Sequence, residues 1–98
     1  MYSLNYKPSL KKTLIKLAKR NPKQAEIIAK KSEEIVANPY HYKNLKTPLQ
    51  KYRRVHIDKH FVLIFSIDET NKTVVLESFD HHDKIYKKRR NTGVINGN

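Results

Sequence analysis

Cysteine is absent from the 98-residue chain, and glycine occurs only at Gly93 and Gly97. Without cysteine there is no disulfide framework, no thiolate zinc site and no cysteine nucleophile, and nothing calls for an oxidising compartment. Without glycine in residues 1–92, neither the dinucleotide-binding fingerprint nor the phosphate-binding loop can be written. Long apolar runs are missing as well. The longest, Phe61 to Phe65, falls far short of the roughly 18 residues of a membrane helix. The first residues lack the basic start and long apolar stretch of a secretory signal. These absences lead us to expect one small cytoplasmic domain over residues 1–90, with 91–98 of loop composition and flexible.

Acidic residues are also scarce. Lys and Arg number 21 against 9 Asp and Glu, a formal charge of +12. A chain this short buries only about 60–65% of its unfolded surface, so self-repulsion is a real cost that an anionic partner would relieve. Excess lysine can simply confer solubility, but here the charge is segregated. Residues 1–25 hold seven basic side chains and no acid, while 35–57 and 84–98 hold five each and no acid. The acids form short patches at Glu26, Glu33 and Glu34, at Asp58, Asp68 and Glu69, and at Glu77, Asp80 and Asp83. Such segregation favours a polyanionic partner, nucleic acid or a strongly acidic protein.

Tyr2-Ser3-Leu4-Asn5-Tyr6 alternates with period two and predicts a short strand with Tyr2, Leu4 and Tyr6 on one face. Pro8 and Ser9 open a helix whose apolar stripe is Leu10, Leu14, Leu17 and Ala18. Asn21-Pro22 closes it and caps a second helix, with the stripe Ala25, Ile28, Ala29, Ser32, Ile35 and Val36, ended by Asn38-Pro39. A tight turn between two amphipathic helices predicts an antiparallel hairpin. Residues 40–51 read as loop. From Tyr52 the pattern is that of strands: Val55 and Ile57 alternate with Arg54 and His56, Phe61 to Ile67 suits a central strand, and Thr73 to Phe79 follows a turn at 68–72. Asp83 to Arg90 suits a short basic helix. The expected fold is α+β: an N-terminal strand, an antiparallel helical hairpin, a three-stranded antiparallel meander and a short C-terminal helix. The hairpin covers one sheet face and leaves the other free, and the first strand joins an edge.

The free face carries the chemistry. Arg54 and His56 share a side of their strand, and Lys51 or Arg53 reaches the same region. His81, His82 and Tyr86 follow the last strand at one end of the sheet, and Lys59, His60, Lys84 and Lys87 extend the set as RNA contacts. RNA cleavage needs a base for the 2′-hydroxyl proton, an acid for the leaving 5′-oxygen and cations for the phosphate. Histidine, with an unperturbed pKa of about 6.5, serves in either proton-transfer role, and arginine matches phosphate with two parallel hydrogen bonds. Five histidines in a basic domain also commonly include none that is catalytic. The adjacent His81, His82 and Asp83 do not have the spacing of a helical zinc pair, and successive strand residues point to opposite faces, so no metal is expected. Tyr40 and Tyr42 suit either base stacking or packing on the helices.

The segments Tyr52-Arg53-Arg54-Val55-His56-Ile57, Phe61-Val62-Leu63-Ile64-Phe65, Val74-Val75-Leu76 and His81-His82-Asp83-Lys84-Ile85-Tyr86 resemble the C-terminal half of the RelE/ParE toxin superfamily. Leu45-x-x-Pro48-Leu49 resembles the loop before the basic strand, and the helices of residues 9–38 match in order and length. The resemblance spans about residues 1–88. It implies a toxin of a type II toxin–antitoxin pair that cleaves mRNA in the ribosomal A site without a metal or other cofactor and is blocked by an acidic antitoxin. It places Arg54 and His56 at the RNA-polarising positions of the basic strand, and His81 and Tyr86 in the closing motif. Two positions differ from the pattern: Phe61-Val62 stands where tyrosine-arginine is usual, and His82 where arginine follows the closing histidine. The ParE branch keeps the fold, lacks the ribonuclease residues and poisons DNA gyrase. That branch, an inactive family member and a plain basic RNA-binding domain are the alternatives.

Overall fold

The computed structural model describes residues 1–85. Tyr86, Lys87, most of the expected basic helix and the 91–98 tail lie outside the described residues. The order is β1 (Ser3–Tyr6), α1 (Pro8–Arg20), α2 (Pro22–Ala37), a 3-10 turn (Pro39–His41), β2 (Tyr52–Ile57), β3 (Phe61–Asp68) and β4 (Thr73–His81). A helical turn starts at 82–85. Pro8 and Pro22 occupy first-turn positions, where a missing N–H costs nothing. The Asn21 side chain accepts from the Gln24 N–H at 3.2 Å and so caps α2. Among the described residues no helix is long and apolar enough to cross a membrane.

The sheet runs β1-β4-β3-β2. β2, β3 and β4 form the expected antiparallel meander, and β1 joins the β4 edge in parallel, as a strand returning through a helical crossover can. The helices cover one face. Leu10 and Leu17 of α1 and Ile28 and Ile35 of α2 pack with Val55, Ile57, Leu63, Phe65, Val74 and Leu76 in the main core. Tyr2 and Leu4 pack against this core, whereas Tyr6, expected beside them, is exposed at the strand end.

A register shift between Ile64 and Phe65 sets the β4 faces. Phe65 pairs with Leu76 and Ile64 with Ser78, so Glu77 is extra on β4. The bulge reverses the alternation. It lets Val74 and Leu76 on one side, and Phe79 on the other, all face the helices.

The second sheet face departs from expectation. It is not free along its length: Leu45 is buried with Val62 and Ile64, and Leu49, Tyr52 and Ile85 close over them. The 40–51 segment, expected to be plain loop, runs through the 3-10 turn, a bridge between Asn44 and Arg53 and a cis Thr47–Pro48 bond. Val62 and Ile64 are apolar on the face turned away from the helices, and burying them there removes roughly 1.5–3 kcal/mol of hydration penalty per side chain. The end of that face bearing His56, with Arg54 beside it, stays open.

Opposite the histidine end, Glu69 in the β3–β4 turn ties three segments together. Its carboxylate accepts from the Tyr2 hydroxyl at 2.7 Å, the Tyr40 hydroxyl at 2.8 Å and Lys72 Nζ at 2.7 Å. Lys72, then the two tyrosines, hold the Glu69 pKa down to about 2. The same bonds push both tyrosine hydroxyls up.

Phe65 is wholly buried where sheet and helices meet. Phe65→Ala should cost about 3–5 kcal/mol, measured by urea unfolding, a large share of the roughly 5–15 kcal/mol total of a small domain. Glu69 stabilises the fold while ionised, because its folded pKa lies below its ordinary value near 4.5. That contribution is complete above the ordinary value and disappears as pH falls through about 2. Glu69→Gln should therefore lower the melting temperature at pH 7, and the gap from the parent protein should close on acidification across that window. A gap independent of pH would contradict this.

Candidate functional site

β2 is an edge strand, and its alternation decides which basic residues meet. Arg54 and His56 lie opposite Ile64 and Val62 and share their face. Arg53 lies opposite Phe65 and points the other way. There its guanidinium donates to the Tyr42 carbonyl and stacks over the Tyr40 ring at 5.0 Å, holding the 3-10 turn rather than joining Arg54. Tyr42 itself packs edge-on against Phe65 at 5.8 Å, so it is a core residue. Lys51 is exposed, with its ammonium 5.0 Å over the Tyr52 ring.

Along the outer edge of β2 runs a shallow groove of about 460 Å³, lined by Lys31, His41, Tyr42, Lys43, Arg54 and His56. The Arg54 N–H donates to the Lys43 carbonyl at 3.2 Å, which draws the 42–44 strand of chain onto the β2 edge. Lys31, His41 and Lys43 were not singled out from the sequence. They sit on a helix and a loop distant from the basic strand, and only the fold brings them to it.

Four of the five histidines gather at one end of the meander. The His56 and His82 rings stack at 6.0 Å with 24° between planes, and His60 and His81 at 5.9 Å with 2°. The His82 N–H donates to the His60 carbonyl at 2.6 Å, locking the end of β4 onto the β2–β3 turn. His81 also meets the Phe61 ring edge-on at 5.5 Å, and Phe61 stacks on Phe79 at 5.3 Å. His81 and His82 thus splay to opposite sides of the sheet end, with Asp83 between them: its oxygens lie 4.0 Å from His81 Nδ1 and 3.5 Å from His82 Nδ1. Lys59 in the turn and Lys84 on the helical turn are exposed at this same end.

The turn bearing Lys59 and His60 is pinned from beneath. Gln24, buried at the start of α2, donates its side-chain amide to Asp58 at 3.1 Å. Asp58 adopts φ 57°, the left-handed region that Asp tolerates better than most residues. Gln24 lies one turn before Ile28 on the buried face of α2, and a polar residue at that spacing is the trace of this role in the sequence.

Chemically, the end offers imidazoles for proton transfer and a guanidinium with further cations able to hold an anion. Val62, at the position where the RelE pattern carries arginine, is fully buried under Leu45. An arginine there would place its charge among apolar neighbours. Val62→Arg should therefore lower stability by about 3–5 kcal/mol in urea unfolding, as expected of an uncompensated buried charge, rather than add a phosphate ligand. Unchanged stability would mean that the Leu45 cover opens freely.

Comparison with known proteins agrees with this geometry. The family model described as the ParE toxin of the type II toxin–antitoxin system parDE matches residues 4–86. A protein of Methanocaldococcus jannaschii that bears the name toxin RelE4 is 58% identical over 90 residues, covering 92% of this chain and 96% of the relative. The isolated Escherichia coli RelE toxin superposes with a TM-score of 0.70 at 16% identity, covering 94% of this chain and 98% of that one. The Mycobacterium tuberculosis toxin–antitoxin complex RelBE2 has a matching chain at TM-score 0.69 and 20% identity, covering 83% and 98%. The chain is a type II toxin–antitoxin toxin of the RelE/ParE superfamily.

Proposed function

We propose that the protein is a ribosome-dependent, metal-independent mRNA endonuclease that halts translation and is neutralised by an acidic antitoxin. The observation that carries this reading is the gathering of His56, His60, His81 and His82 with Arg54 at one open end of the sheet. A histidine takes the proton of a 2′-hydroxyl. The 2′-oxygen then bonds to phosphorus, the bond to the 5′-oxygen breaks, and that oxygen receives a proton from an acid group. The products are a 2′,3′-cyclic phosphate and a 5′-hydroxyl. His81 or His82 acts as acid or base, Tyr86 orients the nucleophile or stacks on a base, and Arg54, His56, His60 and Lys59 hold phosphate. Lys51, Lys84 and Lys87 extend the RNA track, while Arg53 supports the loop beside it. The +12 charge suits ribosomal RNA, mRNA and an acidic antitoxin alike.

Two observations favour a second reading, inhibition of DNA gyrase. The matching family model is that of ParE, and the arginine of the RelE pattern is replaced by a buried valine.

Induced expression followed by primer extension separates the two. The nuclease reading expects cuts within translated mRNA and arrested protein synthesis; intact mRNA with arrested replication would overturn it in favour of gyrase. His82→Ala and His81→Ala should each slow cleavage of ribosome-bound mRNA by about 10²–10⁴-fold, the usual range for general acid–base groups. Undiminished cleavage by either variant would remove that residue from the site. RNA binding should weaken with salt at a slope of about −0.7 per phosphate contact.

A further inference from the structure

The β2–β3 turn at the histidine end is held by a residue of the helical hairpin. We propose that Gln24 is a positioning residue: through Asp58 it fixes where the turn carries Lys59 and His60, and through the His60 carbonyl it fixes the end of β4. Its meaning for cleavage rests on the nuclease reading above, in which Lys59 and His60 hold phosphate.

Gln24 is itself fixed from the backbone outward. Its N–H donates to the Asn21 side chain at 3.2 Å, the cap that starts α2. Its side chain lies with Leu17, Phe61 and Phe79 around a cavity between the hairpin and the sheet. The residue is only 6% exposed, and a buried amide needs a hydrogen-bond partner. That partner is the Asp58 carboxylate, whose Oδ2 lies 3.1 Å from Gln24 Nε2. A carboxylate only accepts, so the donating side of the amide faces it.

The sheet alone does not fix this turn. Ile57 pairs with Phe61, so Asp58, Lys59 and His60 lie outside the β2–β3 ladder. The ladder sets where the turn begins and ends but not the path between. Asp58 takes φ 57°, a region in which the Cβ crowds the backbone. The amide presented by α2 offers its carboxylate a partner in that conformation. Beyond it, the His60 carbonyl accepts the His82 N–H at 2.6 Å, and the His60 ring lies parallel to that of His81 at 5.9 Å. A line of contacts thus runs from the Asn21 cap through Gln24, Asp58 and His60 to the residue that follows β4.

Hydrogen exchange of the ¹⁵N-labelled full chain reads the His82 amide directly, and in the parent protein it should be protected. Gln24→Met keeps the length and packing of the side chain and removes the donor. It should speed exchange at His82 by about tenfold or more, as expected for losing a hydrogen bond to a charged group, and leave the amides of central β3 unchanged. Asp58→Asn keeps an accepting oxygen and tolerates the left-handed region, so His82 should stay close to the parent. Asp58→Gly adopts that region freely but lacks the acceptor, so adding Gln24→Met to it should change His82 no further. An unprotected His82 amide in the parent, no effect of Gln24→Met, or an equal effect in the Asp58→Gly background would overturn the proposal. On ribosome-bound mRNA, Gln24→Met should raise KM more than it lowers kcat, the mark of displaced phosphate-holding groups. Exchange needs no RNA, so it separates from the nuclease reading. If exchange shifts as described while the parent leaves translated mRNA intact, the nuclease reading fails and the hold of Gln24 on the turn stands.

Discussion

The pairing of β3 with β4 is the constraint on which the rest of the molecule depends. These two strands form the centre of the sheet, and their inward residues, Leu63, Phe65, Val74 and Leu76, provide much of the surface on which both helices rest. The extra residue at Glu77 reverses the alternation midway along β4. Without it, Leu76 and Phe79 would face opposite sides, and one would leave the helices for the other face. The bulge therefore satisfies the core at both ends of a nine-residue strand. It also fixes which way the strand end presents His81 and, past it, His82.

The charge distribution follows a similar economy. Seven of the nine acids are engaged in local contacts: Glu34 with Lys31, Asp58 with Gln24, Asp68 with Asn71, Glu69 with Tyr2, Tyr40 and Lys72, Glu77 with Ser66 and Lys7, Asp80 with the His81 N–H, and Asp83 with the two histidines. They hold turns and strand ends in place. Among the described residues, Lys7, Lys31 and Lys72 are the lysines in ion pairs, so most of the cationic surface is uncompensated. Acids serve the fold and bases face outward, an arrangement that suits a toxin whose proposed partners, an acidic antitoxin and RNA, are both anionic.

The two ends of the sheet differ accordingly. At the Glu69 end a buttressed carboxylate ties β1, the 3-10 turn and the β3–β4 turn together. At the other end histidines stack in pairs, and the turn beneath them is held by Gln24. One end closes the structure and the other presents groups able to exchange protons. The small apolar cover formed by Leu45, Leu49 and Ile85 lies between, over Val62 and Ile64.

Much of the fold was legible in the residue pattern. The stripes of α1 and α2, the Asn21-Pro22 junction and the alternation in β2 follow from local periodicity and capping, which depend on neighbours a few positions away. Which residue types populate the site was legible for the same reason, as was the shared face of Arg54 and His56. What lay beyond the sequence was everything set by register. The bulge at Glu77, the burial of Val62 beneath Leu45, the turning away of Arg53 and the stacking of His56 on His82 arise between residues distant along the chain. Periodicity says that a strand has two faces. Only the tertiary packing decides which face is covered and which histidine meets which, because a shift of one residue in pairing exchanges them all.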